Sequence, residues 1–306
     1  LMAAEGGTGD WHSEVVFRSD APMEGYTPWS RNPILTQRHL PAGRPDPVTC
    51  TGHADLVRTP EGAWWAVFLG CRPTRGGFEN LGRETFLMPV HWSEDGFPVI
   101  TEGDELVPRV VRPSGTAVRK KPVYGNFRKT DDFDGDRLGL EWMTLRGPAD
   151  SLYKLEDGIL KLRCSAARAT EPVTPALVLR RLQHHAFTAS ARMRFRPVRE
   201  EAAGLLLYKD EHHQYFLKVC LADGRPAVVA ERIGMDPAVL GTMPLPERCG
   251  SVDLTVASDD GLSFRFLCSV NGRKAVSVAE GVDASYLSTA VAGGFTGTTV
   301  GLYAVR

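Results

Sequence analysis

No apolar run in this sequence approaches the roughly 20 residues that a membrane-spanning helix needs. No segment keeps apolar residues at i, i+3, i+4 and i+7 over three turns, so an amphipathic helical bundle is excluded. Charge of one sign is also missing. The net charge is -1 with acids and bases interspersed, which leaves no electrostatic footprint for nucleic acid or an anionic membrane. There is no glycine-rich phosphate loop followed by a helix, no HExxH and no GxSxG, which removes the usual sequence signs of nucleotide binding, zincin chemistry and a serine nucleophile elbow. The six cysteines (Cys50, Cys71, Cys164, Cys220, Cys249, Cys268) are widely and irregularly spaced without a CxxC pair. A zinc site is therefore not expected, and buried free thiols are favoured over disulfides. The pairs His184-His185 and His212-His213 lie on strand-like segments, where neighbours point to opposite faces, so neither makes a bidentate metal clamp.

What is present is β-structure. The 306 residues are too many for one typical domain, and 42% hydrophobic residues suffice for ordinary cores. Strands are expected at Glu14–Arg18, at Asp55–Arg58 and Ala63–Leu69 (a hairpin turning at Pro60-Glu61-Gly62), at Thr85–His91 and, after the Asp95-Gly96 turn, at Phe97–Ile100. Between about Leu106 and Thr130 the prolines Pro108, Pro113 and Pro122 and the basic run Arg119-Lys120-Lys121 mark a linker. Beyond Asp131 a second all-β unit follows, with about ten strands. Arg192-Met193-Arg194-Phe195-Arg196 alternates, placing Met193 and Phe195 on one face and the arginines on the other. Asn271-Gly272 is the strongest hairpin signal. Short strands punctuated by Gly and Pro suit sandwiches, barrels or propellers.

Several motifs say more. AEGGTG (4–9), NPILT (32–36), GHADLV (52–57) with the WWAVFLG strand after it, GCRPT (70–74), LGRETFLMPV (81–90) and DGFPVI (95–100) occur in that order. They are followed by DDFDG (131–135), LEWMTLRGP (140–148), AGLLLYKDEHHQYF (203–216) and GGFTG (293–297). Together these resemble the last blades and the C-terminal sandwich of family 43 glycoside hydrolases, in the β-xylosidase/α-L-arabinofuranosidase branch. The resemblance implies a mainly-β chain: part of a five-bladed β-propeller over residues 1–115, a linker over 116–130, and a concanavalin-like or jelly-roll β-sandwich over 131–306.

It also implies a parent enzyme that releases xylose or arabinose from oligosaccharides by inversion, with no required cofactor. Such chemistry uses two carboxyls, roughly 6.5–9.5 Å apart, one protonating the leaving oxygen and one activating water. In this family the acid belongs to a TEGPH-like motif ahead of the AEGGT strand, and the base to an earlier blade. The expectation is that these carboxylates lie outside this chain, that Glu5 is a hydrogen-bonding residue, and that the chain alone is inactive. By resemblance the substrate-binding residues are Arg83, a pocket arginine, His53, a channel histidine facing water or a divalent cation such as calcium, and Phe295, a sandwich-loop aromatic walling the pocket. A lone histidine would hold such a cation mainly through water, because calcium prefers oxygen ligands. Structural readings stay open beside each: a salt bridge from Arg83 to Glu84 or to a distant acid, a satisfied core histidine at 53, and a sandwich-core phenylalanine at 295. For the whole chain, the alternative is a non-catalytic carbohydrate-binding or structural β-sandwich. Neither compartment (cytoplasmic or secreted) nor oligomeric state is legible.

Overall fold

The computed structural model describes residues 1–112, 125–148 and 150–306. The basic run at 119–121 and the prolines at 113 and 122 lie outside the described residues. The chain divides into two compact units, Leu1–Pro122 and Val123–Arg306.

In the first unit the strands are β1 (Met2–Glu5), β2 (Ser13–Arg18), β3 (Thr27–Pro28), β4 (Thr49–Arg58), β5 (Trp64–Cys71), β6 (Arg83–Trp92) and β7 (Pro98–Val99). They form a three-stranded sheet β1-β2-β3 and a four-stranded antiparallel meander β4-β5-β6-β7. A four-stranded meander is the unit of a propeller blade. The hairpin turning at residues 60–62 forms as expected, with Arg58 opposite Trp64. Ile34, Leu35, Val48, Ala66, Phe68, Met88 and Ile100 make the core of this unit and are all nearly inaccessible.

The second unit contains β8 (Tyr153–Glu156), β9 (Ile159–Leu162), β10 (Ala176–Arg181), β11 (Phe187–Met193), β12 (Ala202–Asp210), β13 (His213–Ala222), β14 (Arg225–Gly234), β15 (Ala238–Pro244), β16 (Val252–Ser258), β17 (Ser263–Val270), β18 (Val276–Asp283) and β19 (Thr299–Val305). That is twelve strands among the described residues, against about ten expected. Strands β8, β10, β15 and β18 are not among those expected from the sequence. β15 is an edge strand, half-exposed and interrupted by glycine, so its alternation is weak. A six-stranded sheet, β10-β19-β12-β13-β14-β15, faces a four-stranded sheet, β11-β16-β17-β18. Between them lie Leu205, Leu207, Tyr215, Leu217, Val228, Leu254, Val256, Phe264, Phe266 and Cys268.

The outer face of the six-stranded sheet is also covered. Leu177, Leu179, Leu206, Tyr208, Phe216 and Tyr303 pack there with Ala169 and Leu145. Strands buried on both faces read as continuous apolar runs, as GLLLY in β12 does. The four-stranded sheet is wet on one side, and β11 alternates along its whole length. Met193 and Phe195 pack on the core while Arg192, Arg194 and Arg196 are exposed, although the strand itself ends at Met193. Three two-residue turns, Asp157-Gly158, Asp223-Gly224 and Asn271-Gly272, have positive φ at both positions, the backbone of a type I′ hairpin. The last strand, β19, is interior, paired to β10 and β12. The described helical segments are short, a 3-10 turn at Ala284–Leu287 and α1 (Thr289–Ala292).

Candidate functional site

Strand β4 is where the first unit departs from regularity. Its register against β5 slips twice, between Thr49 and Gly52 and again between Gly52 and Asp55. Each slip fits one extra residue into β4, and two non-glycine residues there, Cys50 (φ 53) and His53 (φ 56), hold left-handed backbone angles. Bulges re-aim side chains and end local pairing. Cys50 is buried and His53 is exposed.

Two buried polar residues from β2 and its approach hold this double bulge. His12, 2% exposed, meets the Cys50 carbonyl through Nδ1 at 2.9 Å. Its ring lies flat against Gly52. A Cβ there would sit 2.7 Å from His12 Cε1 and Nε2, which is why the GHAD motif opens on glycine. Burial lowers the His12 pKa, and the charges of Arg83 and His53 push it the same way, so the ring is held neutral. Glu14, also 2% exposed, accepts the Ala54 N–H at 3.0 Å and bonds to the backbone of His53 as well. Burial raises its carboxyl above the ordinary range, opposed by those backbone bonds and by the nearby His53. The buried carboxylate thus does for β4 what a partner strand would have done.

Arg83 opens β6 opposite Cys71, and its guanidinium donates to the Thr8 carbonyl in the EGGTG loop. The alternative of a salt bridge to Glu84 is set aside: Glu84 is gripped by Arg72, with Nε–Oε2 2.8 Å and Nη2–Oε1 2.6 Å. Glu5 takes the Ser13 hydroxyl at 3.1 Å and faces Arg38 at 3.6 Å, the hydrogen-bonding role anticipated for it. Arg83 and His53 both act electrostatically on His12, so the two residues singled out in this unit share one neighbourhood. For a cation, the exposed His53 offers one imidazole, while the adjacent Glu14 carboxylate is engaged by backbone N–H groups. Protein oxygens free to surround a hard ion are not gathered there among the described residues, and calcium would be held through water.

In the second unit Phe295 is 61% exposed, which excludes a sandwich-core role. It follows α1 and two glycines, Gly293 and Gly294, both at φ 72. Its loop is tied to the sheet by Lys209 of β12, a lysine only 5% exposed, which donates to the Thr296 carbonyl and to Thr289 Oγ1. Thr298 Oγ1 donates to the Leu287 carbonyl at 3.1 Å and closes the base.

His12, Glu14 and Lys209 are the residues the sequence did not reveal. Each is a polar residue at the margin of an apolar strand, and nothing local distinguishes such a residue from a solvated one.

Residues 1–98 match the family model described as glycosyl hydrolases family 43, and residues 130–306 match the β-xylosidase C-terminal concanavalin A-like domain. A non-reducing end α-L-arabinofuranosidase of Bacteroides ovatus is 34% identical over 99% of this chain and 56% of its own length. A putative β-xylosidase of Escherichia coli is 33% identical over 99% of this chain and 59% of its own. Among solved structures, the xylan β-1,4-xylosidase of Bacillus halodurans superposes with a TM-score of 0.86 at 28% identity, over 100% of this chain and 59% of that one. The chain therefore spans somewhat more than half the length of these relatives.

Proposed function

Since the chain belongs to glycoside hydrolase family 43, we propose that it forms the supporting half of an inverting exo-glycosidase that removes xylose or arabinose from the ends of oligosaccharides. The observation that carries this is the double bulge of β4 that exposes His53, in the same meander whose β6 opens on Arg83, within a chain matched along 99% of its length by a putative β-xylosidase and an α-L-arabinofuranosidase. In this reading the reacting carboxylates belong to the portion of the relatives that these residues do not cover. Arg83 supplies a rigid fork of donors to sugar hydroxyls. The Thr8 carbonyl takes up one arm of that fork and fixes its direction. His53 presents its imidazole to the sugar or to an ordered water, and a hard divalent cation beside it would be held through that water shell. Phe295, exposed on its loop, offers an aromatic face of the kind that stacks on sugar rings.

The test is hydrolysis of nitrophenyl β-xyloside and α-L-arabinofuranoside by the protein with its preceding blades present, with the product anomer followed by NMR. Release of sugar with inverted configuration is expected. Arg83→Ala should lower kcat/KM about 10–100-fold, the worth of one charge-assisted hydrogen bond. Absence of turnover on both substrates would remove the reading.

A further inference from the structure

Cys50 and Cys71 are far apart in sequence, and their spacing matches no metal motif. The β4–β5 ladder nonetheless brings them together, because Thr49, next to Cys50, pairs with Cys71. The loop after β5 returns Glu79 to the same place. One ligand atom from each of the three residues lies within 4.8 Å of the others, and Cys50 Sγ is 3.2 Å from Glu79 Oε1. Cys50 is 4% exposed and Cys71 1%.

We propose that Cys50, Cys71 and Glu79 form a structural binding site for a borderline-soft divalent cation of the zinc class. The ligand chemistry selects the ion. Thiolates favour zinc over magnesium or calcium, and one carboxylate with two thiolates is a zinc donor set. The size is right as well. Zinc–sulfur bonds of about 2.3 Å and zinc–oxygen bonds of about 2.0–2.2 Å place tetrahedral ligand atoms roughly 3.5–4 Å apart, so the side chains need only small rotations. Asp10 lies close by, with its Oδ1 3.9 Å from Cys50 Sγ. Two neighbours act on the ligands from outside. Thr49 Oγ1 donates to Glu79 Oε1 at 3.5 Å, and His12 holds the Cys50 carbonyl at 2.9 Å. Orienting bonds of this kind accompany metal ligands. Packing alone explains the cluster poorly. A buried cysteine that merely fills space behaves as a small hydrophobe, whereas the Cys50 thiol faces the Glu79 carboxylate at hydrogen-bond distance, 3.2 Å. Cys268, which lies in the sandwich core, shows the contrast.

Such an ion would fasten β4 at its first bulge to β5 and to the loop that leads into Arg83. Its role is to hold the backbone that presents Arg83 and His53, and the inference stands whether or not the protein cleaves sugars.

The experiment is made on the intact protein, purified under reducing conditions without chelator. Its metal content is measured by plasma mass spectrometry, and cobalt(II) is then titrated into metal-stripped protein. Stoichiometric zinc and a near-ultraviolet thiolate-to-cobalt charge-transfer band are expected. The band should persist in Cys268→Ser and vanish in the Cys50→Ser/Cys71→Ser double variant. Glu79→Gln, which preserves shape, should weaken cobalt binding on the order of 10-fold or more, so the site can be judged even if the double variant does not fold. Two results overturn the proposal. One is folded protein with no bound metal and no charge-transfer band. The other is a Cys50–Cys71 disulfide in the peptide map of the unreduced protein.

Discussion

Strands β4 and β13 are each ten residues long, and they use their backbones in opposite ways. β13 pairs with β14 from His213 to Ala222 without a slip, and its side chains serve the two cores on either side of the sheet. β4 slips twice against β5 and turns left-handed at two non-glycine residues. An unbroken ladder satisfies its own N–H and C=O groups, so its side chains are free to be apolar. A broken ladder leaves groups that must find other partners. His12 and Glu14 supply them, and with them come buried polar groups, lowered and raised pKa values, and an exposed histidine. In this molecule candidate chemistry gathers where strand pairing fails, and stability gathers where it does not.

The largest expected effect tests the regular side of that contrast. Phe266, wholly buried between the two sheets of the second unit, should cost about 3–5 kcal/mol when truncated to alanine. Hydrogen exchange should report the loss across β12–β14, β16 and β17. A loss below about 1 kcal/mol would mean that the sandwich core is not where this unit's stability resides.

On the bulged side, Glu14→Ala leaves the half-buried Ala54 N–H without its acceptor and should destabilise by about 1–3 kcal/mol. The sharper readout is local: amide exchange at His53 and Ala54 should accelerate more than in the middle of β5. Equal acceleration everywhere would show that Glu14 is ordinary packing.

Alkali should separate the two behaviours again. In the sandwich, burial pushes the Cys268 thiol from 9.0 up to about 11, and it also raises Tyr215 and Tyr303. A raised value favours the neutral form in the folded state. The Cys268 contribution to stability is therefore complete below pH 9 and is lost as pH rises through about 11. Denaturant midpoints measured across that window should fall, and Cys268→Ala should flatten part of the slope.

The smallest effect is expected at the most conspicuous surface feature. Arg192 pairs with Asp253 at 2.7 Å but is largely solvent-exposed. Arg192→Ala should leave the midpoint unchanged, because water and salt screen such pairs. A clear drop would mean that the wet face of the four-stranded sheet contributes more than its exposure suggests.

Much of the β4–β6 region was legible because its signals are local. Pro60-Glu61-Gly62 forms the expected turn, and alternation in the flanking strands fixes their faces. Gly52 in GHAD was visible as a motif, but its reason, the His12 ring pressed against its α-carbon, was not. Among the cysteines, irregular spacing argued against a zinc site, whereas the β4–β5 register places Cys50 beside Cys71 and Glu79. Spacing along a chain reports ligand geometry only when one loop carries the ligands. When two strands and a returning loop carry them, register decides.

The sequence by itself determined an all-β chain, the course of its hairpins, the alternation of Met193 and Phe195 against the arginines, and the family to which the motifs point. These follow from side-chain period and turn chemistry, which act over a few residues. Only the tertiary structure decided that Glu84 answers to Arg72 rather than Arg83, that Phe295 is exposed on a loop pinned by a buried lysine, and that His12 and Glu14 take over the bonding that a bulged β4 gives up. Each of those depends on which distant segments meet, and burial, the property that gives a polar residue its energetic weight, exists only once they have met.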